Sequence, residues 1–240
     1  MAPNARAILS RRTSDSLTAY GRFDHGVRAI LARLAVTNRP AVTNRPAATN
    51  RPAVRAGPKD TDMHTITYHT CYDHQLTTTQ HHAIRALLDA AFECEFSDED
   101  NDHACGGVRV IASAGDQIVG HAALITRTVT IAGTPYRVGY VEGVAVAPDR
   151  QGQRIGAQIM RQITDMAQRD FVVAMLSTGE IDFYAKYGWQ RFVGESFVDN
   201  HGTISRTAAE DEGLMLITPL SHLNQPGVAW VCDWRTGDVW

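Results

Sequence analysis

The sequence predicts a mixed α/β or α+β domain built on a central sheet, preceded by a basic extension that stands apart from it. Three observations carry this expectation. Of 240 residues, 44% are hydrophobic and 20% charged, which is enough apolar material for a core. From Met63 onward the hydrophobic period switches between the spacing of helices and that of strands. The formal net charge of −3 also hides two opposite segments. Residues 1–62 hold eleven Lys or Arg against four acids, whereas 63–240 hold twelve against twenty-two.

The elements follow in order. Residues 64–70 read as a strand. Ile84, Leu87, Leu88 and Ala91 recur on one face of a helix near 79–92. The acid run 93–102 reads as a solvated loop. Segments 107–114 and 117–130 alternate as strands around a Gly115-Asp116 hairpin turn. Ala132 to Pro135 turn the chain into a strand over 136–146. Ile155, Ile159, Ile163 and Met166 mark an amphipathic helix over 153–169. A short apolar strand at 171–176, a helix around 180–187 and strands near 190–198 and 213–219 complete the domain.

Several classes are excluded. No apolar run approaches the ~20 residues of a membrane helix. Cys71, Cys94, Cys105 and Cys232 are far apart and form no CxxC pair. That excludes a zinc ribbon or disulfide scaffold and fits a reduced, cytoplasmic chain. The ten histidines contain no HExxH-type ligand set, so no metal is expected. The extension carries Thr-Asn-Arg-Pro at 37–40, 43–46 and 49–52. Proline at every sixth residue blocks helix continuation, so 1–62 is expected to be extended and disordered. A targeting peptide, a phosphate-binding tail and a non-functional extension translated from an early start codon are the three readings of it. It is the chain's only route to nucleic acid.

The most informative stretch is Tyr140-Val-Glu-Gly-Val-Ala-Val-Ala-Pro-Asp-Arg-Gln-Gly-Gln-Arg-Ile-Gly156. A strand broken by Pro148, a turn at Gly152 and an immediate helix aim several backbone N–H groups at one point. Helix-dipole charge, Arg150 and Arg154 add to that point. The arrangement is an anion cradle or an ordinary strand-to-helix connection. Strand alternation puts Tyr136, Val138, Tyr140, Glu142, Val144 and Val146 on one face, leaving Glu142 as a carboxylate in an apolar row. Such a group needs a partner, with Arg109 and Arg127 as candidates, or a role in chemistry. Gly143 suggests a bulge beside it. Gly188, beyond the 180–187 helix, reads as its C-cap, with Phe183, Tyr184 and Trp189 as core.

The loop resembles the acetyl-CoA pyrophosphate loop of the GNAT acyltransferases, written Gln/Arg-x-x-Gly-x-Gly/Ala. The pattern falls on Gln151, Arg154 and Gly156, with Arg in place of the middle glycine. The segment Phe183-Tyr184-x-x-x-Gly188-Trp189 is similar to the family's tyrosine motif. The resemblance implies the GNAT fold, a mixed, mostly antiparallel twisted sheet flanked by helices and splayed to admit acetyl-CoA at Gly143.

Two further features narrow it. The domain is acidic, through 93–102 and Glu210-Asp-Glu212, which suits a polycationic substrate. The end, Cys232-Asp-Trp-Arg-Thr-Gly-Asp-Val-Trp240, is too aromatic to be frayed and is expected to fold onto the domain. With Tyr140-Val-Glu-Gly-Val-Ala-Val146 and Gln151-Gly-Gln-Arg154, this ending resembles the aminoglycoside 2'-N-acetyltransferases over 63–240. The resemblance implies Glu142 as base and Tyr184 as acid. It implies acetyl-CoA held by Val144, Ala145, Val146, Gln151, Gly152, Gln153, Arg154 and Gly156. An aminoglycoside would be held by Glu95, Asp100, Glu142, Gly143, Ser177, Asp211, Asp238 and Trp240, in a homodimer. A GNAT acting on another polyamine or amino sugar, and a non-catalytic CoA-binding domain, are the alternatives.

Overall fold

The computed structural model describes residues 65–240, so the repeat tract and its expected disorder lie outside the described residues. Chain order is β1 (Ile66–Tyr72), α1 (Thr78–Ala91), α2 (Asp98–His103), β2 (Val108–Ala114), β3 (Gln117–Ile131), β4 (Thr134–Val146), α3 (Ile155–Asp170), β5 (Val173–Ser177) and α4 (Ile181–Ala185). Then come β6 (Gln190–Arg191), β7 (Glu195–Asn200), β8 (Thr203–Arg206), β9 (Leu214–Ile217) and β10 (Ala229–Asp233). The strands form one ten-stranded sheet in the order β6-β9-β5-β4-β3-β10-β7-β8, and β1-β2 lie along the other part of β3. All pairs are antiparallel except β4 with β5 and β10 with β7.

Local chemistry explains most boundaries. Thr77 caps α1 through a reciprocal pair: Gln80 N–H donates to Thr77 Oγ1, and Thr77 N–H donates to Gln80 Oε1. Ala132 and Gly133, at φ of 49° and 81°, make the two-residue turn into β4, so Thr134 and Pro135 already belong to the strand. The core is layered. Gly120 lies beneath Ile155 and Ile159, where a Cβ would come within 2.7 Å of Ile159. His121, pointing to the opposite face, sits near Leu88 of α1 beside Gly143. A second cluster around Val129, Tyr140, Met175 and Trp230 fills the β10 end. Trp230 is fully buried and its indole donates to Leu223 O at 3.0 Å. Truncating so large a buried side chain typically removes roughly 3–5 kcal/mol.

Four expectations are corrected. The acid run is not all loop: Asp98–His103 is helical. Ser97 and Asp100 cap each other's backbone N–H groups at 3.0 Å, and acids at 98–100 sit where the helix dipole favours them. The strand expected over 190–198 is two strands on different parts of the sheet. Gly194 passes between them, so close to Val228 that a Cβ would lie 2.7 Å from its carbonyl oxygen. β8 and β10 were unanticipated, and β10 draws the C-terminal motif into the sheet between β3 and β7. Finally, β4 does not alternate through its length. Ala123 pairs with Glu142 and His121 with Ala145, so Gly143 and Val144 oppose one residue. This bulge, with Gly143 at φ 57°, reverses the parity, and Val144 and Val146 face away from the Glu142 side.

Candidate active site

The site lies where β4 and β5 part. They pair only at Val138–Val173, Gly139–Ala174 and Tyr140–Met175. Beyond Tyr140 the parallel partner is gone, so the β4 edge from Val141 to Val146 borders an open cleft. Leu176, Ser177, Thr178 and Tyr184 line one wall, and Glu95, Phe96, Asp100 and His103 the other. Arg235, Asp238 and Trp240 close it from the C-terminus.

Glu142 sits at the parting with its side chain 18% exposed. Its partner is neither Arg109 nor Arg127 but Arg235, whose Nη2 donates to Glu142 Oε1 at 3.1 Å. Burial pushes the Glu142 carboxyl above its usual value, and the Arg235 charge and hydrogen bond oppose that shift. A carboxyl raised toward neutrality suits a general base. Arg235 is fixed in turn: its Nε donates to Asp238 O at 2.7 Å. Arg127, instead of pairing with Glu142, lies over the Tyr140 ring and donates to Val239 O at 2.6 Å, anchoring the chain end. Trp240 is buried, and its indole donates to Thr207 Oγ1 at 2.9 Å.

Tyr184 is buried, with its ring edge-on to Phe183. Burial pushes the phenol above its ordinary value, and the nearby Thr178 side chain opposes this. The proton therefore stays on the oxygen at working pH. On the acidic wall, desolvation raises the Asp238 carboxyl, the nearby Asp100 charge raises it further, and Arg235 opposes. Glu210 is raised by burial and then by Asp238 and Asp211. Asp211 itself does not line the cleft. Burial raises its carboxyl, but pairing with Arg206 and hydrogen bonds from the Ser196 hydroxyl and backbone outweigh that and hold it below its usual range.

Past β4, a 3-10 turn over Pro148–Arg150 leads to Gln151, the one loop residue that reaches the cleft. Gly152, Gln153, Arg154 and Gly156 continue outside the lining, as the entry into α3. Arg154 takes φ 65°. It thus holds, at about 1–2 kcal/mol of backbone strain, a left-handed turn of the kind that glycine adopts freely. α3 has no side-chain cap, which leaves its first amides open to a ligand.

Of the sequence-predicted residues, the cleft gathers Glu95, Asp100, Glu142, Gly143, Val144, Ala145, Val146, Gln151, Ser177, Tyr184, Asp238 and Trp240. Sequence reasoning missed Arg235, His103 and Thr178 as site residues. Arg235 was within reach, because it lies inside the C-terminal motif. His103 is lowered by burial and by Arg235, and becomes visible only once α2 is known.

This geometry agrees with what the chain resembles. Residues 74–192 match the family described as an acetyltransferase (GNAT) domain. The aminoglycoside 2'-N-acetyltransferase of Mycolicibacterium fortuitum is 32% identical over 161 residues, covering 65% of this chain and 83% of that protein. The crystal structure of the GNAT N-acetyltransferase YhbS from Escherichia coli, solved with CoA, superposes with a TM-score of 0.50 at 15% identity, over 72% of this chain and 93% of that one. The chain spans about a third of the length of several other solved structures that it matches. One is a GCN5-related N-acetyltransferase from Kribbella flavida (TM-score 0.42, 19% identity, 55% of this chain, 34% of that one). A mostly antiparallel sheet parting beside a loop-to-helix turn defines the class, and the chain is a GNAT acetyltransferase. Within that class it belongs to the family of the aminoglycoside 2'-N-acetyltransferases. Among the described residues no helix is long and apolar enough to cross a membrane, and no His, Cys, Asp or Glu group converges as a metal set.

Proposed function

We propose that the chain transfers the acetyl group of acetyl-CoA to the 2'-amino group of aminoglycosides, by direct attack of the amine on the thioester with both substrates bound. The observation that carries this is the acidic wall. Glu95, Asp100 and Asp238 line the cleft together with Glu142, and among the lining residues only Arg235 is a Lys or Arg. A polycationic amino sugar supplies the missing positive charge and draws the raised Asp238 carboxyl back toward ionisation. Of the acidic trio at 210–212, neither Glu210 nor Asp211 lines the cleft: Asp211 is engaged by Arg206, and Glu210 adds its charge from beside Asp238. Gly143, Ser177 and Trp240 shape the same surface. The name of the Mycolicibacterium relative supports the substrate class.

Acetyl-CoA lays its pantetheine arm along the open β4 edge at Val144, Ala145 and Val146, in place of the missing strand. Its pyrophosphate meets the uncapped start of α3 with Gln151, Gly152, Gln153, Arg154 and Gly156. Glu142 takes the proton of the attacking ammonium, directly or through a water. A backbone N–H of the splayed strand stabilises the oxyanion. Tyr184, its proton held by burial, donates to the departing thiolate. A cytoplasmic homodimer belongs to the same reading, supported for the compartment by four unpaired cysteines.

The test is thiol release by the full chain with a panel pairing 2'-amino aminoglycosides with 2'-hydroxyl relatives. Turnover confined to the 2'-amino members is expected. Absence of turnover with every member, despite acetyl-CoA binding, contradicts the reading and moves the search to other amines. Arg235→Met adds a prediction with a definite sign. Losing the cation lifts the Glu142 carboxyl further, so ionised base becomes scarcer at low pH. The acidic limb of the kcat/KM profile should move to higher pH by about one unit, or roughly 1.4 kcal/mol. An unmoved limb removes Arg235 from the tuning of Glu142.

A further inference from the structure

A chain of polar side chains, buried at Arg109 and His121 and partly exposed at Asp73 and Cys105, runs under the bulge without lining the cleft. Arg109 is 1% exposed and His121 fully buried. Arg109 Nε donates to Asp73 Oδ1 at 2.5 Å, its Nη2 to Cys105 Sγ at 3.4 Å, and its Nη1 lies 2.9 Å from His121 Nε2. A guanidinium only donates, so Nε2 must accept and the ring proton sits on Nδ1. His121 Nδ1, 2.7 Å from Gly143 O, therefore donates to that carbonyl. Burial, then the Arg109 charge, pushes the imidazole down to about 3, so the ring is neutral at working pH. Asp73, Arg109 and Cys105 are the other titratable groups around this ring.

Gly143 O belongs to the peptide that opens the bulge. The chain contains no cis peptide among its described residues, so the Val144 N–H points opposite to that carbonyl. With the carbonyl held toward His121, the N–H faces away from the relay, and Val144 lines the cleft. We propose that Asp73, Arg109 and His121 are positioning residues that lock the Gly143–Val144 peptide so that the Val144 N–H is presented to the thioester carbonyl. The inference rests on the acetyl-transfer reading and adds to it a relay outside the reacting groups. The relay also fixes the peptide's alternative: a flipped carbonyl would leave His121 Nδ1–H buried without an acceptor.

Two measurements test it on the full chain. Nitrogen-15 NMR of the histidine rings should find His121 as the neutral Nδ1–H tautomer, unchanged between roughly pH 5 and 8; the other tautomer, or protonation in that interval, overturns the relay. In kinetics, His121→Leu should lower kcat roughly 10- to 100-fold, a partial loss of one oxyanion donor, with the acetyl-CoA KM within about threefold. His121→Asn, which keeps an N–H near the Nδ1 position, should restore most of that loss. Equal losses in both variants, or a loss carried by KM alone, overturn the proposal. Should His121→Leu fail to fold, Arg109→Met keeps the ring but frees its tautomer, and must lower kcat as the NMR signature changes. Wild-type chain that turns over no amine sinks the acetyl-transfer reading and this role with it. An active wild type with an indifferent relay variant sinks the relay alone.

Discussion

Glu142→Gln should lower kcat for acetyl transfer by roughly 100-fold or more while leaving the acetyl-CoA KM within about twofold. The magnitude is that of a removed general base. The amine arrives protonated, and a neutral amide has no basicity with which to take the proton. The fold should tolerate the change, because Gln keeps an oxygen that can accept from Arg235 Nη2, as Glu142 Oε1 does at 3.1 Å. The acidic limb of the pH–rate profile, set in the wild type by a carboxyl raised through burial, should disappear with it. Steady-state kinetics between pH 5 and 9 check both statements. A variant that keeps its rate and its acidic limb would assign the proton transfer elsewhere.

Tyr184→Phe is expected to lower kcat by about 100-fold, again without a matching change in KM. Phe preserves the ring and its edge-on contact with Phe183, whose centroid is 5.1 Å away, so packing survives. What is lost is the hydroxyl beside Thr178, a stability change of about 1 kcal/mol at most. Denaturant unfolding beside kinetics separates the two effects. A rise in KM with unchanged kcat would make Tyr184 a packing residue, the role an aromatic cluster most simply suggests.

Much of the fold was legible where periodicity is unbroken. α1 and α3 fall within about two residues of their expected bounds, because Ile84, Leu87 and Leu88, and Ile155, Ile159 and Ile163, each sustain a helical face. What failed is long-range or locally interrupted. β10 is short and follows a Pro-Gly turn, and only its docking between β3 and β7 makes it a strand. Gly143 was readable as a bulge, yet alternation carried through it put Val144 and Val146 on the wrong face. The Glu142–Arg235 pair joins residues 93 apart in sequence, and nothing local in either segment encodes their meeting. The same holds for Asp73, Arg109 and His121, which come from separate parts of the sequence and meet only in the fold. By contrast, most acids named from the family resemblance converge on one cleft. Asp211 does not, and its engagement by Arg206 depends on the β7–β8 hairpin, which the pattern did not reveal.

The measurement that bears most directly on the proposed chemistry is the position of the transferred acetyl group. An aminoglycoside carrying several amines, the 2'-amine among them, is incubated with acetyl-CoA and the full chain. The product is then assigned by two-dimensional NMR with thiol release counted in parallel. The proposed reaction predicts a single acetyl group on the 2'-nitrogen for each thiol released. Acetylation at another amine, at a hydroxyl, or spread over several positions would contradict it.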